Sequence, residues 1–299
     1  FYQSSANSKS TSFKDFNSNT LSKYFSGIVA FENKDNAEAL NFFNSSKILL
    51  SRHDPYLKRY VSSLVLEKKV SQAINLIKRN IGKNKTNFFE SYLLLIIDSL
   101  KKNDLDQADI YLSDALNFAK QDKLNLAILE NFKQYIFVFK NNKISNSKKN
   151  FGKLSVISET FQRCYLKDPK TDTYFSNLIN DNEADYSRYT YFYLSYLIEN
   201  NRMDEAKNIT DNIKFLNTTL LLSQGKSWIE DESAEQLTSV FSCKNYNDII
   251  SEFLFLISNL YSSEDNFEKS NFYLNLSNFL NSKFIYNLSL TAENHFSNK

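Results

Sequence analysis

Few residues of this sequence combine the type and the spacing that catalysis requires. The two histidines, His53 and His295, lie far apart, and no nucleophile motif such as GxSxG accompanies either of them. Residues 225–227 read Gly-Lys-Ser, but a phosphate-binding loop needs a glycine five positions before that glycine, where this sequence has Leu220. We therefore expect a non-catalytic chain, and we interpret residues 225–227 as a break between helices.

The spacing of metal-binding residue types is equally uninformative. Cys164 and Cys243 belong to no CxxC pair, so the sequence indicates neither a zinc site nor a disulfide framework. The acidic run at residues 229–235 lacks the alternating Asp and Asn spacing of a calcium loop, and it is typical of a solvated helix start. We expect no metal and no cofactor.

One stretch and one charge pattern could serve an anionic partner. Residues 78–89, KRNIGKNKTNFF, are basic with adjacent aromatics, as in a nucleic-acid or anionic-lipid patch, but a polar connection between helices reads the same way. Residues 1–150 carry 23 Lys and Arg against 14 Asp and Glu, whereas residues 151–299 carry 13 against 20. The electrostatic field of a basic first half and an acidic second half can steer an acidic partner or align two copies head to tail.

The composition favours a helical chain. Four glycines and two prolines among 299 residues leave too few turn residues for all-β or Rossmann-type folds, while 42% apolar residues supply a core. The longest apolar runs, at residues 92–97 and 253–257, are far shorter than a membrane-spanning helix. We therefore expect an all-α, soluble chain.

Small residues recur at a nearly constant interval after short polar turns. The intervals between the first three are 34 and 35 residues, and two later turns are followed by a small residue at the same place. The residues aligned in this way are Ala39, Ala73, Ala108, Ala206 and Ser270. A period near 34 residues with two helices in each unit predicts paired helices that pack closely where the side chain is small.

In the first unit the pattern extends to Gly27, Ala39, Phe43 and Ser46, at intervals of 12, 4 and 3 residues. Here the chain resembles the tetratricopeptide-repeat family, although the leading tryptophan of that family is absent throughout. The resemblance implies a right-handed α-solenoid of antiparallel helix pairs. It divides the chain into a flexible leader (1–18), three repeats (19–118), an irregular repeat with a spacer (119–184), and further helix pairs that end in an unpaired or capping helix (185–299).

The resemblance also implies a partner-binding surface on the first helix of each pair. The side chains that it assigns to this surface are Tyr24, Ile28, Lys58, Arg59, Ser62, Tyr191, Ser195, Phe255 and Asn259. The lysine and asparagine with which chaperone-binding members hold a terminal carboxylate are replaced in the first repeat by Tyr24 and Ile28. We therefore expect an apolar or mixed groove.

The predicted function is protein binding, as a scaffold or adaptor without chemistry of its own, for a protein or peptide partner that the sequence does not identify. A self-associating architectural solenoid and a solenoid arm of an enzyme stay open as alternatives. A helical-repeat nucleic-acid binder is disfavoured, because such readers are basic throughout. The sequence opens on Phe1 rather than methionine, as in a chain that has lost a targeting segment, which leaves a cytoplasmic and a periplasmic location open.

Overall fold

A computed structural model of the chain describes residues 17–51, 53–82, 86–120, 122–145, 149–180, 187–213 and 219–297. These residues form helices and connecting turns and contain no strand, which confirms the expected all-α class. The predicted leader falls almost entirely outside the described residues. The chain divides into two compact units, Phe1–Lys69 and Val70–Lys299, so that the second predicted helix pair is split between them.

The first unit contains α1 (Ser18–Glu32), α2 (Asn36–Ser45) and α3 (Asp54–Leu66), with a 3-10 helix at Lys47–Ser51. The second unit contains thirteen further α-helices over its described residues. These are α4 (Val70–Asn80), α5 (Phe89–Lys101), α6 (Leu105–Ala119), α7 (Lys123–Asn141), α8 (Lys153–Leu166), α9 (Thr171–Ile179), α10 (Ser187–Glu199), α11 (Met203–Asp211), α12 (Leu220–Glu230), α13 (Glu235–Val240), α14 (Tyr246–Ser263), α15 (Phe267–Leu280) and α16 (Leu288–Ser297), with a 3-10 turn at Ile285–Asn287.

One backbone turn recurs at five helix connections. In each, a residue with positive φ ends the helix, and the following amide donates to the carbonyl five residues before it, which is the 6→1 bond of a Schellman turn. The N···O distances of these bonds are 2.8 to 2.9 Å. The left-handed residues are Lys34, Lys68, Asn103, Asn201 and Asp265.

A small, completely buried residue lies five positions after each of these turns. The five residues are Ala39, Ala73, Ala108, Ala206 and Ser270, and each is 0% exposed. Lys167 and Glu232 make the same 6→1 bond, but Asp172 and Leu237 follow them at that distance. Only the five repeated connections therefore combine this turn with a buried small residue, among the described residues. The five positions aligned by sequence thus share one local environment.

The first connection shows why the small residues matter. A Cβ added to Gly27 in α1 would lie 2.8 Å from a ring carbon of Phe43 in α2, closer than packed carbon atoms can approach. Phe43 is buried in this contact, and the Ser46 hydroxyl donates to the Phe42 carbonyl at 2.9 Å. Phe43 thus packs against Gly27 where α1 and α2 meet.

Two polar layers join the last three helices of the second unit. In one layer, Ser251 of α14 and Ser277 of α15 have their hydroxyl oxygens 3.0 Å apart, and the Asn287 amide donates to Ser277 at 3.1 Å. One heptad further on, Ser258 and Ser270 repeat the contact at 2.9 Å, and the Asn294 amide donates to Ser270 at 2.8 Å. Small hydroxyls permit the close approach, and each has a partner for its buried oxygen.

These layers correct the expectation for the last helix. In the register of a repeat's first helix, Leu288, Ala292 and His295 would form the inner face of this helix, but all three are exposed. The buried face instead carries Leu290 and Asn294, and α16 packs against α15. Asn287 and Asn294 occupy buried positions where the periodicity predicts apolar residues, because their amides donate hydrogen bonds to the buried hydroxyls of Ser277 and Ser270.

The predicted break at residues 225–227 is also wrong, since these residues lie within α12. Gly225 allows close packing there, because a Cβ would lie 3.0 Å from a ring carbon of Tyr191 in α10. The buried ammonium of Lys226 donates to the carbonyls of Thr210 and Ile213, at 2.9 and 3.1 Å, and so caps the C-terminal end of α11. The tripeptide therefore has a packing role and a capping role.

Cys164 of α8 and Cys243 form a buried disulfide with a Cα–Cα distance of 5.6 Å, although their spacing indicated no such bond. Cys243 lies in the connection between α13 and α14, and we call this connection, together with the last residue of α13, the 240–245 segment. The Ser195 hydroxyl of α10 donates to the Phe241 carbonyl at 2.6 Å, and the Asn281 amide donates to the Val240 carbonyl at 2.8 Å. The disulfide and these two hydrogen bonds thus fasten α8, α10 and the residue after α15 to one short segment.

We predict that Ala206→Leu lowers the free energy of unfolding by about 1–3 kcal/mol, because the contact it fills has no room for a larger side chain. Ala292→Leu, on the exposed side of α16, is the matched control and should change it by less than about 0.5 kcal/mol. Urea titrations followed by circular dichroism measure both. Equal effects of the two substitutions would contradict the close packing.

We predict that replacing Cys164 and Cys243 together with alanine lowers the free energy of unfolding by about 2–4 kcal/mol, since the disulfide closes a long loop with a separation of 79 residues. Reductant should destabilise the original chain by a similar amount and leave the double variant unchanged. An effect of reductant on both proteins would show that it acts elsewhere.

Candidate functional site

The predicted surface residues of the first unit lie around one hydrogen bond. Arg59 of α3 donates through Nη1 to the Tyr24 hydroxyl of α1 at 3.0 Å, and the Tyr24 side chain is buried. Ile28 and Ser62 are half-buried, and Lys58 is exposed. The structure therefore brings Tyr24 and Arg59 together and leaves Lys58 as the most accessible member of the group.

The predicted surface residues of the second unit differ more strongly in exposure. Tyr191 and Ser195 are 0% and 1% exposed, because α10 packs against α9, α11, α12 and α13. Neither side chain offers a contact surface to a partner in this conformation, and the Ser195 hydroxyl is committed to the 240–245 segment. Phe255 is half-buried and Asn259 is exposed, both on α14.

The Phe255 ring contacts a residue that we did not predict, Arg188, which lies in the first turn of α10. Its guanidinium makes a side-on, bidentate ion pair with Glu252 of α14: Nε donates to one carboxylate oxygen at 2.8 Å and Nη2 to the other at 2.6 Å. Nη2 also donates to the Asn287 side-chain oxygen at 2.6 Å. The guanidinium carbon lies 3.9 Å from the Phe255 ring centroid. We call this cluster the Arg188 centre.

Burial makes the Arg188 centre energetically sensitive. The Glu252 side chain is 1% exposed and that of Arg188 is 18% exposed. Burial raises the pKa of the Glu252 carboxyl, and the charge and hydrogen bonds of Arg188 oppose that rise. Because a buried carboxylate without a partner is far costlier than a paired one, the guanidinium is held in one place and orientation.

A hollow of about 360 Å³ opens beside the guanidinium. Its lining combines aliphatic side chains, side chains with a hydroxyl group, and one arginine. The residues that line it are Arg188, Thr219, Leu220, Leu221, Ile285, Tyr286 and Ser289. Leu220 and Ile285 are 77% and 59% exposed, so the apolar wall faces solvent. We call this hollow the Arg188 pocket.

A second apolar surface lies on the first unit. Ser22, Phe25, Ser26 and Val29 of α1, with Ala30 and Phe42, border a broad groove of about 580 Å³. Phe25 and Val29 are largely exposed. This groove lacks a charged side chain to orient a ligand, whereas the Arg188 pocket combines apolar walls with a fixed cation, as small binding sites commonly do.

Within the described residues, no group of three or more His, Cys, Asp or Glu side chains is arranged to hold a metal ion. Across the same residues, no helix combines the length and the apolar character needed to cross a membrane. No protein-family model, curated protein or solved structure matches the chain.

A signal for the Arg188 centre was present in the sequence. Only six of its 36 Lys and Arg residues are arginines. Arginine offers planar, paired donors that lysine cannot replace, so an arginine in a lysine-rich chain marks a place where that geometry is used. Arg163 and Arg202 fit the same reasoning, because each contacts two carboxylates.

One buried carboxyl beside the 240–245 segment titrates near neutrality. Asp248 accepts a hydrogen bond from the Ser242 amide at 3.0 Å, and burial raises its pKa to about 6. Glu199 adds to this rise, and Lys283 opposes it. Because the folded protein holds this proton more tightly than the unfolded chain, Asp248 favours folding when protonated, and that contribution is lost as pH rises from about 4 through 6.

We predict that the free energy of unfolding of the original chain falls by about 2–3 kcal/mol relative to Asp248→Asn between pH 4 and pH 7. Asparagine keeps the acceptor for the Ser242 amide and removes the ionisation. Urea titrations at a series of pH values measure the difference, with the exposed Asp211→Asn as the control. A difference that does not vary with pH would show that Asp248 does not titrate in this range.

We predict that Arg188→Ala lowers the free energy of unfolding by about 3–5 kcal/mol, because it leaves Glu252 buried without a partner. Combining it with Glu252→Gln should recover part of the loss, since the uncompensated charge is removed. Denaturant titrations of the two single variants and the double variant form the required cycle. Strictly additive losses would contradict a direct interaction between the two side chains.

Proposed function

We propose that the chain is a non-catalytic scaffold that binds a protein or peptide partner, and that its helix pairs are tetratricopeptide-like units of a right-handed solenoid. The five turns with the same hydrogen bond and the same buried small residue support the repeat assignment. A stack of such pairs displays side chains from several units on one surface, which suits recognition of an extended partner.

The observation that carries the proposal is the Arg188 pocket. It has an exposed apolar wall and a cation fixed by Glu252 and Asn287, so a partner meets a surface that is already arranged. Two exposed members of the predicted surface are further candidate contacts, each considered within its own unit. They are Lys58 in the first unit and Asn259 in the second.

Self-association is the second candidate, and α16 favours it. Leu288 and Phe296 of α16 are exposed apolar side chains that do not line the Arg188 pocket. A second copy that covered them would remove apolar surface from water. This candidate uses these two side chains, whereas the adaptor proposal uses the Arg188 pocket, so the two can be separated.

The disulfide bears on the compartment. Bonds between cysteines persist in oxidising compartments and are rare where thiol reductants are abundant. Of the two locations that the sequence left open, the buried Cys164–Cys243 bond favours the periplasm or a comparable oxidising space. Thiol labelling of the protein trapped in intact cells tests this, because a cytoplasmic chain should be labelled at both cysteines after unfolding.

Photo-crosslinking in the source cells tests the function directly. A photoreactive amino acid is placed at Leu220, at Lys58, at Phe296, and at the exposed Lys207 as control. We predict a discrete adduct with another protein from Leu220 or Lys58 and none from Lys207. Adducts at multiples of the chain mass from Phe296 alone would favour self-association, and adducts that nuclease removes would favour a nucleic-acid partner.

A further inference from the structure

One nitrogen of the Arg188 guanidinium is left unused. Nε and Nη2 are occupied by Glu252 and Asn287, whereas Nη1 makes no hydrogen bond with the described residues. Arg188 also lines the pocket. A guanidinium has five N–H donors, and the two on Nη1 have no acceptor among the described residues. The buried ion pair fixes the direction of these two donors, and the side chain that carries them lines the pocket.

A second unused polar group lies close to the first. The Tyr191 hydroxyl is buried and has no hydrogen-bond partner among the described residues. The Tyr191 ring centroid lies 6.0 Å from that of Phe284, and the Arg188 guanidinium carbon lies 4.9 Å from the centroid of the same Phe284 ring. A buried polar group without a partner is rare, and a bound ligand is one way to satisfy it.

The charge of the Arg188 centre determines which hydrogen-bond acceptors a ligand can offer to Nη1. Glu252 already neutralises the guanidinium, so a ligand carboxylate or phosphate would bring a second negative charge next to a buried one. A neutral carbonyl can accept from Nη1 without that repulsion. The unused donors therefore suit a backbone or side-chain amide better than an anion.

The residues that line the Arg188 pocket determine which side chain a ligand can place there. Leu220, Leu221 and Ile285 supply an aliphatic surface, and the hollow of about 360 Å³ is near the lower limit of ligand pockets. It has space for one side chain with its backbone, and not for a large cofactor. The Thr219 and Ser289 side chains in the lining suit the polar backbone that would flank such a side chain.

We propose that the Arg188 pocket binds an aliphatic residue of a partner peptide, with the neutral backbone carbonyl of that residue accepting a hydrogen bond from Nη1 of Arg188. This inference rests on the proposed protein-binding function and names the chemistry of its site.

The test titrates the full chain with N-acetyl-leucine methylamide and follows the methyl signals of Leu220, Leu221 and Ile285 by NMR. We expect saturable shifts with a dissociation constant of about 1 mM, as befits so small a ligand. N-acetyl-leucine, which carries a carboxylate, should bind about fivefold more weakly. N-acetylglycine methylamide, which lacks the side chain, should show no saturable shift.

Variants are chosen so that folding is not at risk. Leu220→Ser and Ile285→Ser alter exposed wall residues and should weaken binding of the leucine amide about tenfold when combined. Phe296→Ser, on an exposed residue outside the pocket, is the matched control and should leave binding unchanged.

Three outcomes would overturn the proposal: no saturable shift up to about 20 mM amide, unchanged binding in the wall variant, or tighter binding of the carboxylate than of the amide. The last would identify an anion site. If the amide fails to bind while photo-crosslinking still captures a protein, the pocket inference is wrong and the binding function survives. If the amide binds and no protein is captured at any position, the function proposal fails instead.

Discussion

The fold depends on a steric limit that is repeated along the chain. Five of its left-handed turns are followed, five residues later, by a completely buried alanine or serine, where a larger side chain has no space. Between α1 and α2, Gly27 and Phe43 meet the same limit, since even one added carbon would collide. Within each compact unit, such small residues set how closely neighbouring helices approach.

The candidate site in the second unit depends on this framework. Arg188 begins α10, and its acidic partner Glu252 lies on α14, so their ion pair forms only if those two helices keep a constant separation. The 240–245 segment secures that separation, because it connects α13 to α14 and is bound to α10 through Ser195 and to α8 through Cys243. The rigid guanidinium and the hollow beside it are therefore consequences of how the helices are tied together.

Sequence reasoning located the repeated contacts and missed the site. Ala206 could be placed because small residues recur at a fixed interval, which is a local property of the sequence. Glu252 could not be placed, because its role depends on Arg188, 64 positions away, and the sequence around it resembles an ordinary apolar helix. The hydrophobic periodicity did not predict that Asn294 is buried, because its partner Ser270 is known only from the folded structure. Cys243 likewise needed three-dimensional proximity, which spacing alone does not contain.

The most direct test of the repeated turn is hydrogen exchange of five amides, measured by NMR on the intact chain. These amides follow the left-handed residues and belong to Asp35, Lys69, Asp104, Arg202 and Asn266. Although they lie between helices, the shared 6→1 hydrogen bond should slow their exchange by roughly 100-fold or more relative to unstructured peptide. Exchange of all five at the rate of an open loop would show that the repeated turn does not exist in solution, and the account built on it would fail.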